Sequence, residues 1–300
     1  MFKSGVWCNW QHNRFWSCFF WFESGYPNKD FRNDKLRQVV ADFLFSTAFK
    51  FFTLVFPVMQ EGLFEKIKEE LVSNSDQSYA AFASALIPHL SRPMLGVRLP
   101  FLRTLARRLA KEEGRNPALV PWRMDTFEEV MLWGILLGYL DLPWSVRWKE
   151  ICKFVPLMDN WSVCDSCCAT YKVIRHHRAD AFPDLLAYLD SIREYDQRFA
   201  VVMMMDHYLV DEYMDQVLAA WRHLQPSGYY VEMAVGWGLS VAALRYPTST
   251  LQVLRDDNVA LSVRLKACQK ILESRRTPDS LRQQVRVLRE KLRIKNKMEP

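Results

Sequence analysis

Glycine is scarce in this chain, ten residues in 300, and no Asn-Gly or Asp-Gly pair occurs anywhere. Both deficits argue against a strand-rich fold, because tight hairpins draw on those dipeptides for their left-handed turn residues. There is no Gly-x4-Gly-Lys phosphate loop, no His-Glu-x2-His zinc helix and no Gly-x-Gly-x2-Gly dinucleotide turn. Cys164, Cys167 and Cys168 with His176 and His177 downstream lack the second cysteine pair that a tetrahedral zinc site needs. Small buried residues on a helix is the plainer reading of those cysteines. No metal and no cofactor are expected. The seven cysteines (Cys8, Cys18, Cys152, Cys164, Cys167, Cys168 and Cys268) are odd in number and irregularly spaced. That fits reduced thiols in a cytosolic protein better than a disulfide framework.

Apolar residues, by contrast, make up half of the chain, ample for a core in one large domain or two small ones. The formal net charge is +6 and the isoelectric point about 8.9, which permits nucleic acid without requiring it. The distribution of charge says more than its sum. From Arg264 to Lys297 there are twelve basic side chains, among them Lys266 and Lys270, against the acids Glu273, Asp279 and Glu290. A second basic run is Arg98, Arg103, Arg107, Arg108 and Lys111. One such run alone is most simply a solvated helix face. Two of them flanking a candidate site point towards a polyanion.

Residues 1–58 differ from the rest. Trp7, Trp10, Phe15, Trp16, Phe19, Phe20, Trp21 and Phe22 crowd the start with neither helical nor alternating period. The apolar stretch from Val39 to Val58 carries Asp42 and, near its middle, Lys50, which makes it a poor membrane span. It also lacks the small-residue cleavage site of a secretory signal. A membrane anchor is the alternative reading of that stretch. The amphipathic run Met59-Gln60-Glu61-Gly62-Leu63-Phe64-Glu65-Lys66-Ile67 follows at once. Met59 is therefore read as the natural start. Residues 1–58 become an atypical extension, dispensable or not part of the native protein, and 59–300 the functional domain.

From residue 60 onward the apolar period is helical. Met214, Val217, Leu218 and Trp221 fall at i, i+3, i+4, i+7, and Leu281, Val285, Leu288 and Leu292 at i, i+4, i+7, i+11, each giving one apolar stripe. Pro100 sits where a helix opens. Asp125-Thr126 ahead of Phe127-Glu128-Glu129 makes an N-terminal cap with acids in the first turn. Breaks fall at Gly114, Pro143, Pro226-Ser227-Gly228 and Pro247. About a dozen short helices with short connections predict an all-α fold, with antiparallel helix pairs stacked into a solenoid. Internal self-similarity is weak, so a plain helical bundle stays open on periodicity alone.

One constellation stands out. Asp159-Asn160-Trp161-Ser162-Val163-Cys164-Asp165 opens a helix that carries Trp161 and Asp165 one turn apart on one face. Arg198 follows 37 residues after Trp161, and Trp237 follows 39 after Arg198. HEAT-type repeats run roughly 40 residues, so equivalent positions could bring Trp161, Asp165, Arg198 and Trp237 onto one concave surface. Taken singly, each residue has a blander reading. Tryptophans in helical proteins are usually core. An acid in a first turn is usually a dipole partner. An arginine just after Asp196 is often a surface ion pair.

Several separated segments resemble the AlkD-like alkylpurine DNA glycosylases. They are Gly96-Val97-Arg98-Leu99-Pro100 with Leu102-Arg103, Asp159-Asn160-Trp161 through Asp165-Ser166, Gln197-Arg198-Phe199-Ala200-Val201, and Tyr229-Tyr230-Val231 with Met233-Ala234-Val235-Gly236-Trp237. They stand in the family's order at its distances, and the resemblance spans about residues 60–292. It implies a C-shaped HEAT-like α-solenoid with a basic concave face. It also implies a site in which Trp161, Asp165, Arg198 and Trp237 surround a damaged nucleotide in duplex DNA. The basic runs, with Arg98, Arg103, Arg107, Lys266 and Lys270, would hold the flanks of the duplex.

The implied chemistry suits these residues. A purine alkylated at N3 or N7 is already cationic and leaves as a neutral base, so no general acid is needed and one carboxylate suffices where ordinary glycoside hydrolysis uses two. Asp165 would stabilise the oxocarbenium ion forming on the deoxyribose and position or deprotonate water. Trp161 and Trp237 would stack on the sugar and backbone, and Arg198 would clamp a phosphate. The family cradles the duplex without turning the lesion into a tight base pocket. The resulting expectation is a monomeric, monofunctional glycosylase for cationic alkylpurines such as 3-methyladenine and 7-methylguanine, in the cytoplasm with the nucleoid and away from membranes. A non-catalytic binder of damaged or branched DNA and a helical-repeat protein scaffold are the rivals.

Overall fold

The computed structural model describes residues 56–87, 90–112 and 123–298. Among them are thirteen α-helices and no strand. In chain order these are α1 (Phe56–Ser73), α2 (Gln77–Ser84), α3 (Leu99–Lys111), α4 (Phe127–Leu137), α5 (Trp144–Phe154), α6 (Trp161–Cys168), α7 (Arg178–Leu189), α8 (Glu194–His207), α9 (Met214–His223), α10 (Tyr229–Arg245), α11 (Pro247–Arg255), α12 (Leu261–Glu273) and α13 (Asp279–Met298). Short 3₁₀ turns at Val155–Leu157 and Lys172–His176 lead into α6 and α7.

The local signals act where the sequence places them. Thr126 is the N-cap of α4 and accepts from Glu129 N–H at 3.2 Å. Glu129 reaches back to Asp125 N–H at 2.8 Å, a reciprocal arrangement that satisfies donors a helix start leaves open. Pro100 lies in the first turn of α3, and Pro247 opens α11. The stripe Met214, Val217, Leu218 and Trp221 is buried along α9, and Leu281, Val285 and Leu292 are buried along α13. The helix expected from Met59 begins at Phe56, so it runs across the boundary placed at 58/59. Gly114 and the aromatic stretch from Trp7 to Phe22 lie outside the described residues. Among those described, no helix is long and apolar enough to cross a membrane.

Packing follows an alternating order. α3 packs on α4, α4 on α6, α6 on α8, α8 on α10, α10 on α12 and α12 on α13. The intervening helices lean on this row: α5 on α4, α7 on α8, and α11 on both α10 and α9. Every residue of α4 is buried, including Glu128 and Glu129. The Glu128 carboxylate is compensated by three amides of the segment that enters α3: Leu95 at 2.9 Å, Gly96 at 2.7 Å and Val97 at 3.1 Å. Gly96 adopts φ +86°, where a side chain is strained, and an added Cβ would overlap the backbone of Asp76. Gly134 lets α4 close on its neighbours, since a Cβ there would overlap Cys167 and the Phe154 ring.

Candidate functional site

Helix α6 starts where it does because Asn160 caps it, its side-chain oxygen accepting from Val163 N–H at 3.0 Å. The Asn160 amide donates to Asp159 at 2.7 Å, and Asp159 in turn receives Arg92 at 2.7 Å and the Ser91 hydroxyl. The entry of α6 is thus tied to the segment before α3. Asn160 is 2% exposed, its side chain serving as the cap of α6. Val163, Cys164, Cys167 and Cys168 turn into the core, which leaves Trp161 and Asp165 on the half-buried face. Burial pushes the thiols of Cys167 and Cys168 well up, and all five described cysteines are free.

Asp165 meets Arg198 across the α6–α8 contact. Nε of Arg198 donates to Oδ1 at 3.0 Å and Nη2 to Oδ2 at 2.8 Å, a two-pronged charge-assisted pair. The third bond of the guanidinium, from Nη1, goes to the carbonyl of Tyr230 at 2.5 Å. Arg198 is 5% exposed, and about a fifth of the Asp165 side chain is open. Burial pushes the Asp165 carboxyl up and the Arg198 fork pulls it back, leaving a net upward shift. Burial works against the charge of Arg198, but the Asp165 carboxylate overcomes it and holds the guanidinium above its ordinary value. The guanidinium faces protein rather than solvent, so the phosphate clamp expected of Arg198 has little surface to act from. Nor does Arg198 form the ion pair with Asp196 that proximity suggests. Asp196 instead takes Arg193 at 3.5 Å and Ser191 at 2.9 Å.

The two tryptophans are placed differently from each other. Trp161 sits in the first turn of α6, with its indole N–H donated to the carbonyl of Leu86 at 3.2 Å. Trp237 is 36% exposed and continues along α10 the open stripe that begins with Tyr229 and Met233. Of the four predicted residues, the structure joins Asp165 to Arg198 directly and links that pair to α10 through Tyr230.

The predicted basic residues lie on α3 or at its N-cap and on α12, further along the row in either direction. Arg98 pairs with Asp76 at 3.1 Å and covers the Tyr79 ring at 4.4 Å. On α3, Arg103 is half-buried, and Arg107 is exposed over Tyr139 at 5.2 Å. On α12, Lys266 pairs with Glu232 at 3.0 Å and stands 4.8 Å over Tyr229, and Lys270 pairs with Glu273 at 3.5 Å.

Sequence reasoning missed other members of the site. Glu194 accepts from Tyr230 N–H at 2.5 Å, and Tyr195 stacks on Tyr230. Asp206, two turns beyond Arg198 on α8, has its carboxyl pushed up to about 6, by burial and then by the charge of Asp165. Its neighbour His207 is pulled down to about 4, chiefly by burial. The His207 ring contacts the carbonyl of Cys168 through Nε2 at 2.8 Å and accepts from Arg175 through Nδ1 at 3.3 Å. An acid one turn before an arginine was the available signal for Glu194, but it reads as an ordinary helix pair.

Compared with known proteins, residues 67–271 match the family model described as DNA alkylation repair enzyme. No curated protein and no solved structure matches the chain.

Proposed function

The chain belongs to the family of DNA alkylation repair enzymes, and on that premise we propose that it is a monofunctional DNA glycosylase releasing cationic N3- and N7-alkylated purines from duplex DNA. The observation that carries this reading is the Asp165–Arg198 fork. It is a carboxylate largely shielded from water and gripped by both prongs of a guanidinium, in a helix row whose α3 and α12 carry basic residues.

A fixed negative charge in a poorly solvated site acts strongly on a cation. The charge that grows during the reaction is on the deoxyribose, as the neutral purine departs. Asp165 stabilises that sugar and takes the proton of the attacking water. Arg198 keeps Asp165 ionised and aimed, and this replaces the phosphate clamp as its role. Trp161 and the open ring of Trp237 line the nucleotide on either side, their faces favouring cationic character by about 0.5–2 kcal/mol each. Arg103, Arg107 and Lys270, with Arg98 and Lys266 beside them, neutralise the phosphates of the flanks. In this reading the alternating helices form a C-shaped HEAT-like solenoid with its basic concave side on the duplex. The protein works as a monomer, in the cytoplasm with the nucleoid and without a cofactor.

Release of methylated base from alkylated duplex tests this, wild type beside Asp165→Asn. The variant is expected to lose about 10²–10³ in rate while duplex affinity stays within about threefold. Absence of release by wild type would leave a DNA-binding protein of the same family. Wild-type release by Asp165→Asn would remove Asp165 from the chemistry.

A further inference from the structure

The third bond of Arg198 depends on how α10 begins. That helix starts at Gly228 with no side-chain cap of its own. Its Tyr230 N–H donates instead to Oε1 of Glu194 at 2.5 Å, from the first turn of α8. A carboxylate at that place also meets the positive end of the α10 dipole. Gly228 is what admits it, since a Cβ there would overlap the Glu194 carboxylate. The same segment is held twice more. Ser227 N–H donates to Gln197 Oε1 at 2.8 Å, and the Tyr195 and Tyr230 rings stack with centroids 5.9 Å apart. Residue 230 is therefore pinned at both ends, its N–H by Glu194 and its carbonyl by Arg198 at 2.5 Å.

We infer that Glu194 is a positioning residue for base release: through Tyr230 it fixes the Arg198 fork, and through the fork the carboxylate of Asp165. The inference rests on the role given to Asp165 above. Without Glu194 the Tyr230 amide has no acceptor, and the first turn of α10 loosens as helix starts do. The Tyr230 carbonyl then leaves Nη1, and Arg198 is held by Asp165 alone. Arg198 is the charge that lowers the Asp165 carboxyl, Asp206 further along α8 is a like charge interacting with it, and Arg103 on α3 acts on the neighbouring Cys167. A slack fork therefore leaves the carboxylate to burial and to a like charge, both of which favour its protonated form.

The test compares Glu194→Ala, Glu194→Gln and Gly228→Ala in the full chain. Glu194→Ala is expected to lower kcat for methylated-base release ten- to a hundredfold, with KM for duplex within threefold. The acid limb of its pH–rate profile should move to higher pH. Glu194→Gln, whose amide oxygen still accepts from Tyr230, should recover kcat to within fivefold of wild type, and Gly228→Ala should resemble Glu194→Ala. A lower melting temperature with kcat and acid limb unchanged would reduce Glu194 to a structural cap and overturn the inference. Hydrogen exchange at the Arg198 Nε–H, followed by nitrogen-15 NMR without DNA, tests the link from Glu194 to the fork even if wild type releases no base. Exchange should be slow in wild type and Glu194→Gln and fast in Glu194→Ala, and equal rates in all three would overturn it.

Discussion

Trp161 on α6 and Leu86 just beyond α2 are joined by a single hydrogen bond, indole N–H to main-chain carbonyl, 3.2 Å long. It couples one predicted wall of the site to a part of the chain 75 residues away and sets the plane of the indole. Trp161→Phe keeps a ring but removes the donor. Stability is expected to fall by about 0.5–1.5 kcal/mol, a drop of roughly 2–4 °C in melting temperature per kcal/mol for a domain of this size. Base release should fall by about tenfold, more than that stability loss accounts for, because a misaligned wall no longer orients the nucleotide. Calorimetry and the release assay together check both parts. Unchanged values in each would mean that the bond orients nothing.

Asp206 and His207 are adjacent and respond to pH in opposite senses. The Asp206 carboxyl is raised from 3.8 to about 6, so between those values the folded protein holds a proton that the unfolded chain has lost. Stability therefore falls as pH rises through that window, and the ionised Asp206 is a cost above about pH 6. His207 is lowered from 6.5 to about 4, so the unfolded chain takes the proton first as pH falls, and stability is lost from about 6.5 down to 4. Asp206→Asn should raise stability at pH 7.5 by on the order of 1–2 kcal/mol, with the gain fading towards pH 4. Its stability should also drop more steeply than that of wild type between pH 6.5 and 4, because the His207 loss is no longer offset. Denaturant titrations across pH 4–8 test this, and a gain independent of pH would contradict it.

Gly134 and Gly62 make a contrasting pair on α4 and α1. A Cβ at Gly134 would overlap Cys167 and Phe154, whereas nothing lies within 4 Å of one at Gly62. Gly134→Ala is expected to destabilise by about 1–3 kcal/mol through overpacking. Gly62→Ala should stabilise by up to about 1 kcal/mol through helix propensity. The sign of the change in unfolding midpoint separates them.

Salt dependence separates the basic residues. If the flanks of a duplex rest on α3 and α12, Arg103→Ala, Arg107→Ala and Lys270→Ala should each weaken binding without regard to sequence. Each should also reduce the slope of log affinity against log salt by about 1. Lys266, already engaged by Glu232 and Tyr229, should change the slope less. Titrations of duplex between 50 and 200 mM salt, roughly the range over which counterion release is steep, measure this. Slopes unchanged in all four variants would move the DNA to another surface.

Much of the architecture was legible because it is local. The buried stripe of α9, the Thr126 cap of α4 and Pro100 in the first turn of α3 depend on residues within a turn or two of each other, and a helix period exposes them directly. Asp165 and Arg198 were also legible as members of one site, through the motifs that carry the family resemblance. What Arg198 does with its guanidinium was not. Its partners lie 33 residues back and 32 ahead, on other helices, and no helical spacing encodes them.

By itself the sequence determined that the chain is helical and which repair family it belongs to, since periodicity, caps and ordered motifs survive without coordinates. Only the tertiary structure decided that Arg198 turns to hold Asp165, that Glu194 caps α10 instead of pairing along its own helix, and that Asp206 feels the charge of Asp165. Each of these joins groups brought near one another by helix packing, and its energy depends on burial that a linear chain does not yet possess.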